Sequence, residues 1–281
     1  MLERPLLCFG EVLWDVFPDG KVLGGAPLNF SYYFQREGGN PKLISSVGRD
    51  EYGDEILERI RELNIDADYI GRVDRPTGIV EISLGLEGHQ FKIGRDMAWE
   101  YVSYPGDKLV FEAAGVYFGT IARISERNRN NLDKLLGKLE NKLIFFDLNL
   151  REDFVNWEDI EQLLSSATHL KINENEAVLL RRKGLTRGRT YRDILSNLIG
   201  DYGLRGGCIT LGKEGAVGGD RESMIRVQGI PVESIGDTVG CGDAFAATWF
   251  SSLLKGYSQE DSIRKANEVA SKVASRRGSI I

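Results

Sequence analysis

The chain has 281 residues, of which 42% are hydrophobic and 28% are charged, so its length and composition are those of an ordinary globular protein. Its net charge of −6 argues against a nucleic-acid-binding protein, and no apolar run reaches the length of a membrane span. The most basic stretch, formed by Arg181, Arg182, Lys183, Arg187 and Arg189, is broken by two glycines and is interpreted as a solvated turn. The three cysteines form no CxxC pair, which excludes a cysteine-based zinc site, and the N-terminus has no signal-peptide cleavage pattern, so we expect a cytoplasmic protein.

Strand-like and helix-like segments alternate along most of the chain. The N-terminal part predicts a β-rich segment Leu6–Val16, a helix Asn29–Arg36, a strand Lys42–Val47 and a helix Glu51–Leu63. Short, continuously apolar strands follow at Val116–Gly119, Leu143–Leu148, His169–Ile172 and Gly207–Leu211, and helices at Ser125–Leu139, Ile160–Ser165, Glu174–Arg182, Tyr191–Tyr202 and Gly242–Lys255. Because continuous apolar runs suit strands buried on both faces, this order predicts an α/β fold with a doubly wound, mostly parallel central sheet and flanking helices.

Residues Thr77–Tyr101 interrupt the alternation, since they predict two strands around a Gly-Leu-Glu-Gly turn and no helix. Such a hairpin is either a structural edge insertion or a lid that closes over a substrate and excludes water. We interpret the chain as one domain, 1–281, with a small β lid formed by about 12–23 and 77–101.

The most informative segment is Gly236–Ala247, GDTVGCGDAFAA. Gly240, Cys241 and Gly242 are small enough for the backbone to approach a ligand closely, and the apolar pattern after them predicts a helix. Unpaired N–H groups and the helix dipole favour an anion at such a helix start. Asp243 lies in the first turn, where it either caps the helix or acts as a general base. A carboxylate beside an anion hole is what phosphoryl transfer to an alcohol requires.

The stretch Asp237–Asp243, DTVGCGD, resembles the DTxGAGD signature of the ribokinase-like (PfkB) family of carbohydrate kinases, with Cys241 in place of the usual alanine. Cysteine is small, so we expect the loop to form. The resemblance implies an ATP-dependent sugar kinase with a ribokinase-like fold. In such an enzyme Asp243 is the catalytic base, and the amides around Gly240, Cys241 and Gly242 stabilise the transferred phosphoryl group.

The N-terminal segments GEVLWDVFP and GGAPLN extend the resemblance. It implies that Asp15, Gly25 and Asn29 bind sugar hydroxyls, for which a carboxylate and an amide are suitable partners. Because Asn29 opens a predicted helix, a plain N-cap is its alternative role. The segment SSVGRDEYGDEI is similar to the family's VGxDxxG, and we expect it to form a turn and a helix cap.

Two mid-chain motifs follow predicted strands, and strand ends are where open α/β sheets bind ligands. In FFDLNLR, the resemblance to the fructokinase and 2-keto-3-deoxygluconate kinase branches implies that Arg151 contacts phosphates. The alternative is a surface ion pair of Arg151 with Glu152 or Asp153. In KINENEA, the resemblance places Asn173 near the nucleotide and implies that Glu176 helps to hold hydrated Mg²⁺ on ATP.

The nucleotide side is indicated by ITLGKEGA, which matches the family's TxGxxG as Thr210, Gly212 and Gly215. Asn267 falls where the family lines its adenine cavity. The letters of Gly207–Lys213 also fit GxxxxGK, but the CITL between the glycines is a predicted strand, so a P-loop is rejected.

A monovalent-cation loop of some family members resembles Asp237, the Val239 carbonyl and 277–279. The resemblance thus adds K⁺ as an open cofactor beside ATP and Mg²⁺, with Asp237 as its candidate ligand.

We therefore expect transfer of the γ-phosphoryl group of ATP to a sugar hydroxyl, with fructose as the favoured acceptor. Trp99 favours fructose because an aromatic ring can pack on a sugar face, whereas Arg95 is a candidate partner for an acidic sugar. 2-Keto-3-deoxygluconate, ribose and nucleoside-like acceptors stay open. A non-catalytic sugar or nucleotide sensor is the rival of another class, and it is disfavoured because Asp243 is present. A homodimer through the lid edge is a further expectation.

Overall fold

The computed structural model describes residues 2–85, 88–139, 141–151, 154–232, 236, 238–276 and 278–280, and for 82–91 it describes the backbone alone. Its strands are β1 (Pro5–Phe9), β2 (Leu13–Phe17), β3 (Gly20–Gly24), β4 (Asn40–Gly48), β5 (Ile70–Val73), β6 (Gly78–Gly85), β7 (Gly88–Ile93), β8 (Gly115–Gly119), β9 (Leu143–Asp147), β10 (His169–Asn173), β11 (Gly206–Thr210), β12 (Ala216–Gly219) and β13 (Met224–Val227). Its α-helices are α1 (Ala26–Arg36), α2 (Glu51–Glu62), α3 (Asp107–Glu112), α4 (Glu126–Lys138), α5 (Trp157–Ser166), α6 (Glu174–Arg182), α7 (Tyr191–Tyr202), α8 (Cys241–Leu254) and α9 (Gln259–Ala274).

The main sheet has nine strands in the order β13-β12-β11-β10-β9-β8-β1-β4-β5. Its neighbouring strands are parallel, apart from the antiparallel pairs β11–β12 and β12–β13. The strand order runs in both directions from β1, so the predicted doubly wound, mostly parallel sheet is confirmed. A crevice is expected at the carboxyl ends of the strands near this switch point.

Both faces of the main sheet are covered, as its apolar strands predict. In β1, Leu7 and Phe9 enter one hydrophobic core, whereas Leu6 and Cys8 enter the other. These four side chains are almost fully buried. A strand buried on both faces has no polar side to alternate with, which explains the continuous apolar runs.

A second, four-stranded sheet has the order β3-β2-β6-β7, with β2 and β6 parallel. Its strands fall in the two segments from which the sequence predicts the lid. The predicted turn between β6 and β7 includes Leu86 and Glu87, which lie outside the described residues.

The predicted β-rich segment Leu6–Val16 is confirmed, and it consists of two strands, β1 and β2, which belong to different sheets and are separated at Gly10, which has a φ of 146°. Two local predictions at the next helix are wrong. Helix α1 begins at Ala26 with Gly25 as its N-cap, three residues before the predicted start. Asn29 is therefore inside the helix and is not its cap.

The antiparallel strands β12 and β13 and the helix α9 are elements that the sequence pattern did not predict. In the stretches that the structure describes, no helix is both long and apolar enough to cross a lipid bilayer.

Candidate active site

A cavity of about 480 Å³ opens at the carboxyl ends of the central strands, between the two sheets. Strands β10 and β11 of the main sheet, β2, β6 and β7 of the small sheet, and the first turn of α8 all contribute to its wall. The lining consists of Glu11, Leu13, Asp15, Gly25, Ala26, Asn29, Val80, Ile93, Ile121, Asn149, Arg151, Lys171, Asn173, Thr210, Thr238, Val239, Gly240, Gly242 and Asp243.

Asp243 is held in the cavity wall by a side chain from another helix. The Asn29 amide donates a 2.8 Å hydrogen bond to Oδ2 of Asp243. Asn29 is itself oriented by Ser279, whose hydroxyl donates to its Oδ1 over 2.8 Å. The alternative in which Asp243 caps α8 is wrong, since the N-cap is Gly240 and no side chain caps this helix. Asp243 is therefore fixed in orientation while its carboxylate stays in contact with the cavity.

The backbone at the start of α8 leaves no room for a side chain at Gly240. This residue has a φ of 79°, and a Cβ there would collide with Ser279. From Ala244 to Ser252 the helix is buried without interruption, so its first turn is anchored by packing. The amides of this turn thus present a rigid, positively polarised surface to the cavity.

Lys171 of β10 approaches the same turn from the floor. Its Nζ would be 3.1 Å from a Cβ placed on Gly242, so the ammonium lies against the start of α8. It also forms a buried ion pair with Asp147, with Nζ–O distances of 3.1 and 3.3 Å. Burial acts to lower the pKa of Lys171, but the carboxylates of Asp147, Glu176 and Asp243 outweigh it and raise the pKa. Lys171 therefore carries its positive charge beside the anion-binding turn.

Burial raises the pKa of Asp243 to about 6, and the nearby Asp147 carboxylate acts in the same direction. The hydrogen bond from Asn29 and the charges of Lys171 and Arg151 oppose this rise. A carboxylate with such a pKa is largely ionised at neutral pH and is a stronger proton acceptor than an ordinary aspartate. This is the adjustment expected of a general base.

Glu11 holds the N-terminus of α1 against this site. Its Oε1 accepts a 3.0 Å hydrogen bond from the amide of Ala26, the first residue of the helix that carries Asn29. Its Oε2 is buried without a hydrogen-bond partner in the described part of the chain. Burial raises the pKa of Glu11 to about 7, with a smaller contribution from Asp243. A protonated fraction at neutral pH relieves the cost of this buried oxygen.

Asp15 and Gly25 lie in the same wall, as expected. Asp15 is 8% exposed and sits in the middle of β2, across from β3 and β6. A Cβ at Gly24 would collide with its carboxylate, and a Cβ at Gly25 would collide with the Glu11 carbonyl. Both glycines are therefore needed for the close approach of the chain at this point.

Arg151 enters the cavity from the loop after β9. Its Nη1 donates to Oδ1 of Asn149 over 2.9 Å and to the Leu150 carbonyl over 3.1 Å. Asn149 adopts a left-handed backbone conformation with a φ of 38°, which turns this loop. The alternative partners of Arg151, Glu152 and Asp153, lie outside the described residues.

A second cavity of about 620 Å³ adjoins the first and shares Thr210, Thr238 and Gly242 with it. It contains four of the five residues predicted for the nucleotide, Thr210, Gly212, Gly215 and Asn267, whereas the fifth, Asn173, lines the first cavity. Apolar side chains including Ile230, Val232 and Phe245 line it as well. An apolar cavity that joins a polar one suits a nucleotide, whose adenine base would lie in the apolar part and whose phosphates would lie at the junction.

The Asn173 and Glu176 pair forms a capping box at the start of α6. The Asn173 side chain accepts from the Glu176 amide over 2.9 Å, and Oε2 of Glu176 accepts from the Asn173 amide over 2.7 Å. Oε1 of Glu176 accepts from the Leu150 amide over 2.8 Å. Glu176 thus ties the β9 loop to the β10–α6 corner, a structural role that the sequence did not predict.

Magnesium fits this arrangement only as an ion carried by the nucleotide. Glu176 is 5% exposed with both oxygens bonded to the backbone, and the described residues contain no group of three or more His, Cys, Asp or Glu that could hold a metal. Mg²⁺ commonly binds through substrate phosphates and water. Asp237, the candidate K⁺ ligand, is outside the described residues, as is Arg277.

Two predicted sugar contacts lie elsewhere. Trp99 is fully buried in a 3-10 turn, Ala98–Tyr101, where its ring packs against Gly78. Its face is therefore not available to a sugar. Arg95 is exposed and stacks on Phe154 at 3.9 Å from the ring centre, outside the lining of the cavity.

Lys171, Asp147 and Glu11 are the residues of this site that sequence reasoning missed or left without a role. A signal was present for each, because a charged residue in or directly after a strongly apolar strand is rarely buried without a purpose. His169–Asn173 reads HLKIN, with Lys171 at its centre.

Comparison with known proteins identifies the family and the fold of this chain. The pfkB family carbohydrate kinase pattern matches residues 5–281. A 2-dehydro-3-deoxygluconokinase of Bacillus subtilis is 28% identical over 279 residues, covering 92% of this chain and 82% of that protein. An ATP-dependent 6-phosphofructokinase of Thermoanaerobacterium thermosaccharolyticum is 26% identical over 254 residues, covering 86% and 76%.

Among solved structures, a fructokinase with bound ATP from Xylella fastidiosa superposes with a TM-score of 0.87 at 19% identity, covering 99% of this chain and 94% of that one. A match at this identity establishes the ribokinase-like fold. Because the family pattern spans nearly the entire chain, the protein belongs to the PfkB family of carbohydrate kinases and is a sugar kinase.

Proposed function

We propose that this kinase transfers the γ-phosphoryl group of ATP to a hydroxyl of a neutral ketose, with fructose as the first candidate. The observation that carries the proposal is the position of Asp243. Its carboxylate meets the cavity next to the amides that begin α8 and to the Lys171 ammonium, where the two cavities join.

In the proposed reaction the Asp243 carboxylate accepts the proton of the acceptor hydroxyl. The sugar oxygen forms a bond to the γ-phosphorus, the bond from that phosphorus to the β,γ-bridging oxygen breaks, and ADP leaves. The amides of Gly240, Gly242 and Asp243, together with Lys171 and Arg151, stabilise charge on the phosphoryl oxygens. Mg²⁺ on ATP supplies further charge neutralisation.

The choice of a neutral sugar follows from the charges that face the first cavity. Asp15 and Asn29 offer a carboxylate and an amide to hydroxyl groups, and a second negative charge near Asp15 is unfavourable. The predicted partner of an acidic sugar, Arg95, is not in the lining, and neither is Trp99. The preference for fructose therefore depends on the polar set around Asp15 and Asn29.

2-Keto-3-deoxygluconate is the second candidate, because Arg151 lines the cavity and can meet a sugar carboxylate. The small sheet carries Leu13, Asp15, Val80 and Ile93 on its cavity side, so we propose that it acts as the lid. A K⁺ requirement, a homodimer and a cytoplasmic location stay predictions.

The test is a coupled ADP-release assay with fructose, ribose, 2-keto-3-deoxygluconate, fructose 6-phosphate and aminoimidazole riboside. We expect the highest kcat/KM with fructose. A higher value with 2-keto-3-deoxygluconate or the sugar phosphate would overturn the neutral-sugar proposal, and no turnover with any acceptor would contradict the sugar-kinase assignment.

A further inference from the structure

A third cavity, of about 550 Å³, lies away from the active site. It is formed by α6, the start of α7 and the edge strands β12 and β13. Its floor is apolar, with Ile194 and Val217 almost fully buried and Val178 and Ile225 partly buried. It is similar in volume to the cavity that holds Asp243.

Four arginines form the rim of this cavity: Arg181, Arg189, Arg192 and Arg226. Three of them come from a stretch, 181–192, that has six basic residues and no acidic one. The sequence alone suggests a solvated turn here. The structure instead folds the stretch around one concave surface and adds Arg226 from the edge strand β13.

Most of these arginines form no ion pair with a carboxylate of the described residues. Arg226 approaches Glu214 at 3.6 Å. In the described chain no carboxylate lies within ion-pair distance of Arg181, Arg189 or Arg192, and Arg181 instead donates to the Gly188 carbonyl over 3.2 Å.

Asp193, which follows Arg192 in the sequence, interacts electrostatically with Arg189, but its carboxylate is already hydrogen-bonded to the backbone at the start of α7. Its Oδ2 accepts from the amides of Thr190 and Arg189 over 2.9 and 3.2 Å. Guanidinium groups gathered on one concave surface repel one another, and a bound anion relieves this repulsion.

The chemistry of the rim and the floor defines a ligand class. Guanidinium groups bind phosphate oxygens in a bidentate manner, and several of them on one concave rim can hold one phosphate from different sides. The apolar floor and the ring of Tyr191 suit the uncharged part of a small molecule.

Two elements connect this cavity to the kinase site. Helix α6 has Asn173 at its N-cap, in the wall of the active site, and Val178 and Arg181 in the wall of the third cavity. The eight-residue separation of Asn173 and Arg181 corresponds to about 12 Å along a helix. Val217 of β12 follows shortly after Gly215, which lines the nucleotide cavity.

We propose that this cavity is an effector site for a small anion that carries at least one phosphate group on a compact apolar or aromatic body, and that its occupancy changes the affinity for ATP. Coupling between two sites is reciprocal, so ATP affinity and effector affinity change by the same factor.

The test uses phenyl phosphate as the probe, measured by calorimetry on the full chain. In wild type we expect binding that persists at saturating ATP. The double variant Arg189→Gln/Arg192→Gln should weaken phenyl phosphate binding about tenfold or more, because charge-assisted hydrogen bonds are lost. The control, Arg61→Gln/Arg127→Gln, removes the same charge from exposed positions on α2 and α4 and should change the affinity by less than about twofold. Thermal melts check that both variants are folded.

Each other outcome overturns the proposal. If phenyl phosphate does not bind to wild type, the proposed site does not exist. If its affinity falls equally in both double variants, the effect comes from the overall charge of the protein and not from this cavity. Full displacement by ATP places the probe in the nucleotide cavity. For the coupling, ATP binding is titrated with and without saturating phenyl phosphate, and an unchanged ATP affinity in wild type refutes the effector role. These readouts need no turnover, so they are independent of which sugar is phosphorylated.

Discussion

Removing the Lys171 ammonium should destabilise the protein and slow the reaction, and the two effects can be separated. The side chains of Lys171 and Asp147 are 7% and 0% exposed, and their ion pair is 3.1 Å long. Lys171→Met leaves the Asp147 carboxylate buried, and among the described residues the Tyr117 hydroxyl, 3.3 Å away, is its remaining side-chain donor. Breaking a buried pair in this way costs about 3–5 kcal/mol, and the remaining hydrogen bond favours the lower end.

The double variant Lys171→Met/Asp147→Asn removes both charges and should recover most of that free energy of unfolding. Its kcat should still be about a hundredfold below wild type, since the charge that faces the phosphoryl group is absent. Lys138→Met is the matched control, because its 3.0 Å pair with Asp107 is exposed and worth at most about 1 kcal/mol.

Guanidinium chloride unfolding and the ADP-release assay give the two readouts for these variants. If the double variant is as unstable as the single one, Lys171 and Asp147 do not act as a pair. If the folded double variant keeps wild-type kcat, Lys171 does not act on the phosphoryl group.

Three further predictions concern Asp243, Gly240 and Trp99. Because Asp243 has a pKa of about 6 and acts in its ionised form, kcat/KM should fall about tenfold per pH unit below pH 6. The Asn29→Leu variant loses a hydrogen bond that lowers this pKa, so the acid limb of its pH–rate profile should move to higher pH. A move of the acid limb to lower pH would contradict the assignment of Asp243 as the base. Gly240→Ala should lose stability and most of its activity, because the new Cβ collides with Ser279. The control Gly256→Ala also has a positive φ (87°) but lies in open space, so its free energy of unfolding should fall by about 1 kcal/mol while its activity is kept. Equal losses of activity in the two variants would refute the packing argument. Because Trp99 is fully buried, Trp99→Phe should leave the KM for the sugar within about twofold of wild type, and Trp99→Ala should lower the free energy of unfolding by about 3–5 kcal/mol. A large change of KM in Trp99→Phe would instead support the original hypothesis that Trp99 contacts the sugar.

The sequence predicted best those elements whose limits are set by local chemistry. Helices α6 and α7 have the predicted bounds, since each begins at a capping box, Asn173 with Glu176 and Thr190 with Asp193. The main strands were found because burial on both faces leaves an uninterrupted apolar run. The start of α1 was missed because its N-cap, Gly25, has no side chain to signal it.

The failures at the site concern contacts between distant segments. Trp99 belongs to the segment 77–101 from which the lid was predicted, but its ring is buried because it packs against Gly78. Lys171 lies in an apolar strand, and its role depends on its contacts with Asp147 on the neighbouring strand and with Gly242 on α8. The rim of the third cavity likewise requires β13 to fold beside α6 and α7.

The account depends most on the Asp243 carboxylate acting as the proton acceptor, and the direct measurement is kcat of Asp243→Asn. This change keeps the shape of the side chain and removes its charge. We expect a folded protein that binds ATP with wild-type affinity and has a kcat about 10²–10⁴-fold lower, the usual contribution of a general base. A folded, ATP-binding Asp243→Asn protein with kcat near that of wild type would contradict the account.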